Sequence, residues 1–433
     1  MSNHVPALFA LLLSAIFVSG AAEKPSVLFL FADDVGREVL GSYGGTSYET
    51  PHIDALAKTG MQFGHCYSMP VCHPSRVCIM TGVYPARQGN PRWGDFAKDY
   101  EAKTFAHVLK ANGYATAVAG KWQLALMKND PRHPERLGFD EWSVFGWHEG
   151  PRFHDPMIYE NGGVRDDTNG KYGPDLYVDF LIEFMEKSQA TGKPFFAYYP
   201  MALAHDVTDD LKGKMVPFYK ENRWMNYKEM AESMDEMVGR LVEFLDQSGL
   251  RKDTIIIFST DNGTAKSSYI RVVDGKMVKD EVWSNWGDGK VRGGKTEFTD
   301  WGTRVPLIVS WEEKIEAGST ADDLVDFSDF LPTLAELTGS EVPEDWTMDG
   351  VSFAPRLLRG EASPRTWAYS ELRGKRFVRT KKFKLYGDGR FFDVATNPLK
   401  EILLKESGRP DPEGTEARLL LQNALDSVPA PAN

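Results

Sequence analysis

Ser26-Val27-Leu28-Phe29-Leu30-Phe31-Ala32-Asp33-Asp34 is a strand-length apolar run that stops abruptly on two acids. Successive side chains of a strand point to opposite faces, so a run that is apolar at both parities is buried on both. Sheets covered on both faces belong to α/β architectures, where ligands bind beyond the carboxyl ends of the strands. Asp33 and Asp34 therefore stand where such a fold carries out chemistry. A second run of the same kind, Thr254-Ile255-Ile256-Ile257-Phe258-Ser259-Thr260, ends on Asp261-Asn262-Gly263.

Outward from these strands, helical and extended patterns alternate. Thr50–Gly60 reads as a short capped helix, Thr104–Asn112 as a helix stopped by Gly113, and Tyr114–Ala119 as a strand leading to Gly120-Lys121-Trp122-Gln123. Leu176–Lys187 is an amphipathic helix, and Pro194–Tyr199 a strand leading to His205. Tyr227–Leu245 is a long helix whose methionines at 230, 234 and 237 have core spacing. Val305–Val309 is a further strand, and Phe327–Leu337 a helix stopped by Gly339. Residues 128–174, rich in Pro, Gly and aromatics, show no regular period and read as a functional wall or lid; 264–303 is a polar, Trp-bearing excursion. Beyond Gly339 the strand candidates, 366–371, 376–380 and 383–386, are shorter and more polar, which places a boundary near 340. The pattern predicts an α/β sandwich, a mixed, mostly parallel sheet between helices, with a smaller C-terminal α+β subdomain.

The chain has 433 residues, 42% hydrophobic and 26% charged, enough to bury a large core in one or two domains. Residues 1–22 contain no Lys, Arg, Asp or Glu, and the apolar run Val5–Val18 closes on Ser19-Gly20-Ala21-Ala22. That is the pattern of a secretory signal, and it is too short to span a bilayer. Export to the periplasm or the extracellular space is expected, with no stable membrane insertion. A formal charge of −12 argues against nucleic acid as a partner, so an anionic substrate needs a local basic cluster. Cys66, Cys72 and Cys78 fit no paired metal-binding spacing, and their odd number leaves at least one without an internal partner. If Cys66 and Cys78 pair or stay buried, Cys72 is the one left over.

Val71-Cys72-His73-Pro74-Ser75-Arg76-Val77-Cys78-Ile79-Met80-Thr81-Gly82 reads as a loop entering a helix, with Pro74 in the first turn, where its missing N–H costs nothing. A helix start suits an anion, and Arg76 adds a planar cationic fork one turn on. Asp33, Asp34, Asp261 and Asn262 offer the hard oxygen ligands that Ca2+ or Mg2+ takes, without a bias toward zinc.

Cys72-His73-Pro74-Ser75-Arg76 matches a Cys-x-Pro-Ser-Arg signature, and on it the chain resembles the type I sulfatases of the alkaline phosphatase superfamily. The strand ending in Asp33-Asp34, Gly120-Lys121-Trp122, Thr260-Asp261-Asn262-Gly263, and Gly293-Gly294-Lys295 through Arg304-Val305-Pro306 follow in the family's order. Beyond 340 the match is loose, around Phe392-Asp393 and Asn397-Pro398. The resemblance implies an alkaline-phosphatase-like sandwich, with a signal peptide at 1–22, a catalytic domain at 23–340 and a C-terminal subdomain with an antiparallel sheet at 341–433.

It further implies that a maturation enzyme oxidises Cys72 to formylglycine. A plain thiol attacking sulfur would leave a stable thiosulfate ester, whereas the hydrated aldehyde gives a hemiacetal sulfate that collapses and expels sulfate. One Ca2+ would be held by Asp33, Asp34, Cys72, Asp261 and Asn262. Arg76 would stabilise the nucleophile, Lys121 and Lys295 would neutralise the sulfuryl oxygens, and His205 would act as general acid at the leaving oxygen. A sulfated carbohydrate or polysaccharide is the expected substrate, because the aromatic-rich excursions at 128–174 and 264–303 offer rings to stack on sugars. Trp147, His148, Arg152 and His154 are candidates for that wall, and His73 is expected at the cleft edge.

One position departs from the family. Where it carries histidine after Gly-Lys-Trp, this chain has Gln123, which orients a hydroxyl but accepts no proton at neutral pH. Two other functions are weighed against the first. A phosphoester or phosphonate monoester hydrolase on the same fold is disfavoured by the cysteine signature and the single oxygen-rich ligand set. A non-catalytic sulfated-glycan binder has only Gln123 in its favour.

Overall fold

The structure is a computed structural model and describes residues 24–207, 223–397, 399–404 and 412–432; the expected signal peptide at 1–22 lies outside them. In chain order the first strands are β1 (Ser26–Ala32), β2 (Met61–Tyr67), β3 (Ala115–Trp122), β4 (Glu141–Gly146), β5 (Tyr159–Glu160), β6 (Gly163–Val164), β7 (Phe195–Pro200) and β8 (Thr254–Thr260). Two hairpins follow, β9 (Ser267–Val273) with β10 (Lys276–Glu281) and β11 (Trp283–Trp286) with β12 (Gly289–Arg292). After them come β13 (Arg304–Ser310) and β14 (Ser319–Asp326). Ten of these strands form one sheet in the order β14-β2-β13-β8-β1-β7-β3-β4-β5-β6.

The apolar run that opens the chain is the centre of that sheet. β1 pairs in parallel with β7 and β8, setting Phe29 opposite Tyr198 on one side and Ile257 on the other. Its two parities feed two separate cores. Val27, Phe29 and Phe31 join Phe105, Phe327 and Phe330, with the Phe29 and Phe330 rings stacked at 5.5 Å. Leu28, Leu30 and Ala32 pack beneath the helices Gly173–Thr191 and Tyr227–Ser248. Each large side chain buried this way contributes about 2 kcal/mol relative to exposure. Because β3, β7, β1 and β8 run parallel, their carboxyl ends meet on one edge of the molecule.

The expected helices form as α1 (Pro51–Thr59), α2 (Cys72–Thr81) and α3 (Phe105–Ala111). Pro74 lies in the first turn of α2, and Gly82, left-handed at φ 70°, closes the helix. Where 128–174 was expected to lack regular structure, β4 runs parallel to β3 and extends the main sheet. Its Trp142, Ser143, Val144 and Phe145 are all buried, so burial on both faces overrides a composition that resembles a loop. The 264–303 excursion contains two hairpins.

Beyond 340, β15 (Ala368–Leu372), β16 (Lys375–Arg379), β17 (Phe383–Tyr386), β18 (Phe391–Asp393) and β19 (Ile402–Leu403) form an antiparallel sheet. Tyr369, Val378, Phe383 and Leu385 from it belong to the same apolar cluster as Phe29, so the core runs across the change of architecture. No helix among the described residues is long and apolar enough to cross a membrane.

Candidate active site

The edge where the parallel strands end collects the acids that the sequence singled out. Asp34 sits in a left-handed turn at φ 60°, held on several sides. Its N–H donates to Asp261 Oδ1 at 3.1 Å, and the Tyr227 hydroxyl donates to its carbonyl at 2.7 Å. Ala204 N–H donates to the Asp33 carbonyl at 2.8 Å, and Thr260 Oγ1 to the Val35 carbonyl at 2.6 Å. A glycine is required just before Lys121: a Cβ on Gly120, at φ 114°, would lie 2.2 Å from the Pro200 carbonyl oxygen. Gly263 is needed for a similar reason, since its Cβ would fall 1.7 Å from the Trp301 carbonyl oxygen and push away the loop that carries Lys295.

Each carboxylate in the cluster has its own cation. Lys121 Nζ donates to Asp33 Oδ2. Arg76 donates to Asp261 Oδ2 through Nη2 at 2.7 Å and Nε at 3.1 Å, and Lys295 Nζ donates to Asp34 Oδ2 at 2.7 Å. Asn262 Nδ2 donates to Asp34 Oδ1 at 2.8 Å. Burial alone would raise Asp33, but Lys121, His205, Arg76 and Lys295 outweigh it and hold the carboxyl far below its ordinary range. Asp261 goes the other way: burial and the charge on Asp33 push it up to about 7 in spite of Arg76. Burial and then Lys295 lower His205, against the pull of Asp33 and Asp34.

The donor set fits a hard cation. Asp33, Cys72 and Asp261 bring one ligand atom each to within 4.8 Å of one another, all buried. Asp33 Oδ1 and Asn262 Oδ1 are buried oxygens without a hydrogen-bond partner. Orphaned buried oxygens are costly, and oxygens of this kind are the ligands that Ca2+ takes.

Cys72 and Arg76 thus meet Asp33 and Asp261, while Lys121, Lys295 and His205 surround the same acids, with His205 Nε2 3.8 Å from Asp34 Oδ2. His205 Nδ1 lies 3.1 Å from the Asp206 carbonyl, and Nε2 faces the acids. Arg152 Nη1 approaches the same Nδ1 at 3.5 Å. Gln123 is fully buried with both amide atoms unpartnered. His73 is buried, with its Nε2 2.9 Å from the Asp95 carbonyl, and it lines a cavity beside the start of α2.

Of the expected wall, Trp147 lies 5.4 Å from Lys121 Nζ and 6.1 Å from the His205 ring, with His148 against it. Arg152 is buried beneath Trp147, whereas His154 packs on Tyr172 and Trp224. Cys66 and Cys78 are unpaired and buried, and desolvation pushes both thiols well up, which leaves them inert. Sequence reasoning missed Tyr227, a core-spaced residue whose hydroxyl holds the acid turn. It also missed Trp93, which meets Trp147 edge-on at 5.7 Å and has no periodic signal around it.

The sulfatase family profile matches residues 25–340, and that of the N-sulphoglucosamine sulphohydrolase C-terminal region matches 295–387. The N-acetylgalactosamine-6-sulfatase of Sus scrofa is 30% identical over 399 residues, covering 84% of this chain and 71% of that protein. Arylsulfatase A of Bos taurus is 31% identical over 422 residues, covering 88% and 78%. A solved structure in complex with its substrate D-glucosamine-2-N,6-O-disulfate aligns at a TM-score of 0.72 and 22% identity, over 94% of this chain and 99% of that one. At that identity the likeness is one of fold.

Proposed function

The chain belongs to the type I sulfatase family of the alkaline phosphatase superfamily, and on that premise we propose that it releases inorganic sulfate from a sulfated carbohydrate or polysaccharide outside the cytoplasm. The observation that carries this reading is the convergence of Cys72, Asp33 and Asp261 at the start of α2, ringed by Arg76, Lys121 and Lys295. A sugar substrate is supported by Trp147 beside the cluster and by the carbohydrate named for two of the proteins it resembles.

In this reading Cys72 is the precursor of the nucleophile, converted to formylglycine by a maturation enzyme. Asp33, Asp34, Cys72, Asp261 and Asn262 would hold one Ca2+, which would supply positive charge to the sulfuryl oxygens. Arg76, anchored on Asp261, keeps Nη1 buried without a partner and available to the side chain at 72. Lys121 and Lys295 are already oriented by Asp33 and Asp34, so they neutralise developing charge without reorganising. His205 Nε2 is the atom placed to exchange a proton with the leaving oxygen. Gln123 supplies hydrogen bonds and no proton transfer.

The test uses protein made alongside the maturation enzyme. The peptide containing residue 72 is expected to show the mass of an aldehyde in place of a thiol. Sulfate release from 4-nitrocatechol sulfate should exceed phosphate release from 4-nitrophenyl phosphate. Stripping with EGTA should lower both activity and melting temperature, and Ca2+ should restore them; binding at a hundred times Kd contributes about 2.7 kcal/mol. Active protein with an unmodified thiol at 72, or a preference for the phosphate ester, would overturn the reading.

Lys295 offers a cleaner test than Lys121, because its side chain is 20% exposed while that of Lys121 is fully buried on Asp33. Lys295→Ala is expected to lower kcat by about 100- to 1,000-fold, the scale of losing one preorganised donor. Its melting temperature should stay close to the parent's. An unchanged kcat would remove Lys295 from the charge-neutralising set.

A further inference from the structure

Beside the helix start that carries Cys72 lies a cavity of about 590 Å³ whose lining includes Val71, His73, Asn90, Arg92, Trp93 and Arg373. We propose that this cavity is a second sugar subsite, taking the ring next to the one that bears the reacting sulfate, and that this neighbouring ring carries an anionic group. The proposal rests on the reading of the chain as a sulfatase of carbohydrates.

Position is the first argument. Val71 and His73, the residues on either side of Cys72 in the chain, both line the cavity. An aromatic pair connects the two regions: Trp93 meets Trp147 at 5.7 Å, and Trp147 lies 5.4 Å from Lys121 Nζ. The volume is that of a small-molecule site. Trp93 is 49% exposed, with its indole braced by Trp147, an arrangement that suits stacking on the apolar face of a sugar.

Charge is the second. Arg92 and Arg373 are exposed, and among the described residues neither side chain takes part in an ion pair or a hydrogen bond. Two uncompensated guanidinium groups on one cavity, in a chain of net charge −12, form a local anion site of the forked kind that suits sulfate or carboxylate. Glu371 shares the lining but pairs with neither arginine. Its carboxyl is engaged by Ala86 N–H at 2.6 Å and the Tyr369 hydroxyl at 2.8 Å, and burial pushes it up to about 7.

Backbone conformation is the third. Arg373 and Gly374 form the two-residue turn between β15 and β16, with φ of 48° and 73°. Such a turn favours Asn, Asp or Gly at its first position, and a long side chain held left-handed there costs about 1 kcal/mol or more. The backbone gains nothing from arginine at this position, so the reason for it lies in the side chain, which the turn presents to the cavity.

The test measures binding to protein made without the maturation enzyme, in which Cys72 stays a thiol and ligand is not consumed. Tetrasaccharides of chondroitin sulfate, heparin and carrageenan are titrated by calorimetry beside the sulfated monosaccharide of each. At least one tetrasaccharide is expected to bind about tenfold or more tighter than its monosaccharide. That ratio should collapse toward one in Trp93→Ala and in Arg373→Ala, with Arg373→Lys between. Carrageenan carries sulfate alone, and carboxyl-reduced chondroitin sulfate separates carboxylate from sulfate as the recognised anion. If no tetrasaccharide outbinds its monosaccharide, or the ratio survives both substitutions, the subsite is disproved. Failure of the sulfatase reading itself registers elsewhere, as absence of sulfate release from 4-nitrocatechol sulfate by the matured wild type.

Discussion

Cys72→Ala is expected to lower sulfate release by at least about 10,000-fold, the scale of deleting a covalent nucleophile, while the protein stays folded. The side chain is buried at the first position of α2, where alanine is an excellent helix former and leaves no polar atom unsatisfied. Losing one sulfur atom there costs about 1 kcal/mol, too little to unfold a domain of this size. Cys66→Ala and Cys78→Ala are the controls. Both thiols lie in the apolar cluster under the sheet, so replacing them should shift the melting temperature and leave kcat/KM near the parent value. Turnover by Cys72→Ala within tenfold of the parent would place the nucleophile elsewhere. Equal losses from all three substitutions would mean that the effect is structural.

The sheet was legible where burial is two-sided and hidden where it is not. β1 is apolar over Val27–Ala32 and β8 over Ile255–Phe258, because each has a neighbour on both sides and feeds an apolar cluster on both faces. β14, Ser319 to Asp326, is an edge strand with an exposed acid at Asp322, and its sequence carries no strand period. β2 contains Gly64 and His65 and is recognisable only once β13 and β14 flank it. β4 was masked by the Pro, Gly and aromatic residues around it. Two-sided burial writes itself into composition, whereas edge strands are specified by partners distant in the chain.

The candidate site divides along the same line. Its acids were readable because a buried strand has to end, and carboxylates at that end have few structural reasons to be there. Lys121 lies at the end of β3 for the same topological reason, but only the family resemblance singled it out from other lysines. Tyr227 looked like an ordinary core residue until its hydroxyl was found on the Asp34 carbonyl. Trp93 and Arg373 are 280 positions apart, and only the antiparallel sheet packed onto the Cys72 side brings them to one cavity.

That packing depends on one buried arginine. Arg365→Met is expected to destabilise the protein by about 3–5 kcal/mol, the cost of breaking a buried ion pair from one side. The Arg365 guanidinium, 4% exposed, donates to Asp329 Oδ1 at 2.5 Å and Oδ2 at 2.6 Å, and to Asp326 Oδ2 at 3.0 Å. It also reaches the Asp349 carbonyl at 3.1 Å, while Asp349 Oδ2 accepts from Tyr84 N–H just beyond α2. One cation thus ties the start of the antiparallel sheet to the end of β14 and to the Cys72 helix. Without it, Asp326 and Asp329 face each other buried and uncompensated.

The sign of the pH dependence follows. In the parent, burial and the neighbouring Asp326, opposed by Arg365, leave Asp329 raised from 3.8 to about 7. A carboxyl raised in the folded state contributes stability below its unfolded pKa and loses it as pH climbs toward the folded value. Removing the opposing cation raises that value further, so the deficit of Arg365→Met should be largest near about pH 8 and shrink toward about pH 5. Adding Asp329→Asn to the variant removes the buried charge and should recover much of the loss. Thermal unfolding of the three proteins across that range decides the matter. A deficit that is flat with pH, or that grows on acidification, would show that Arg365 acts by filling space and not by compensating charge.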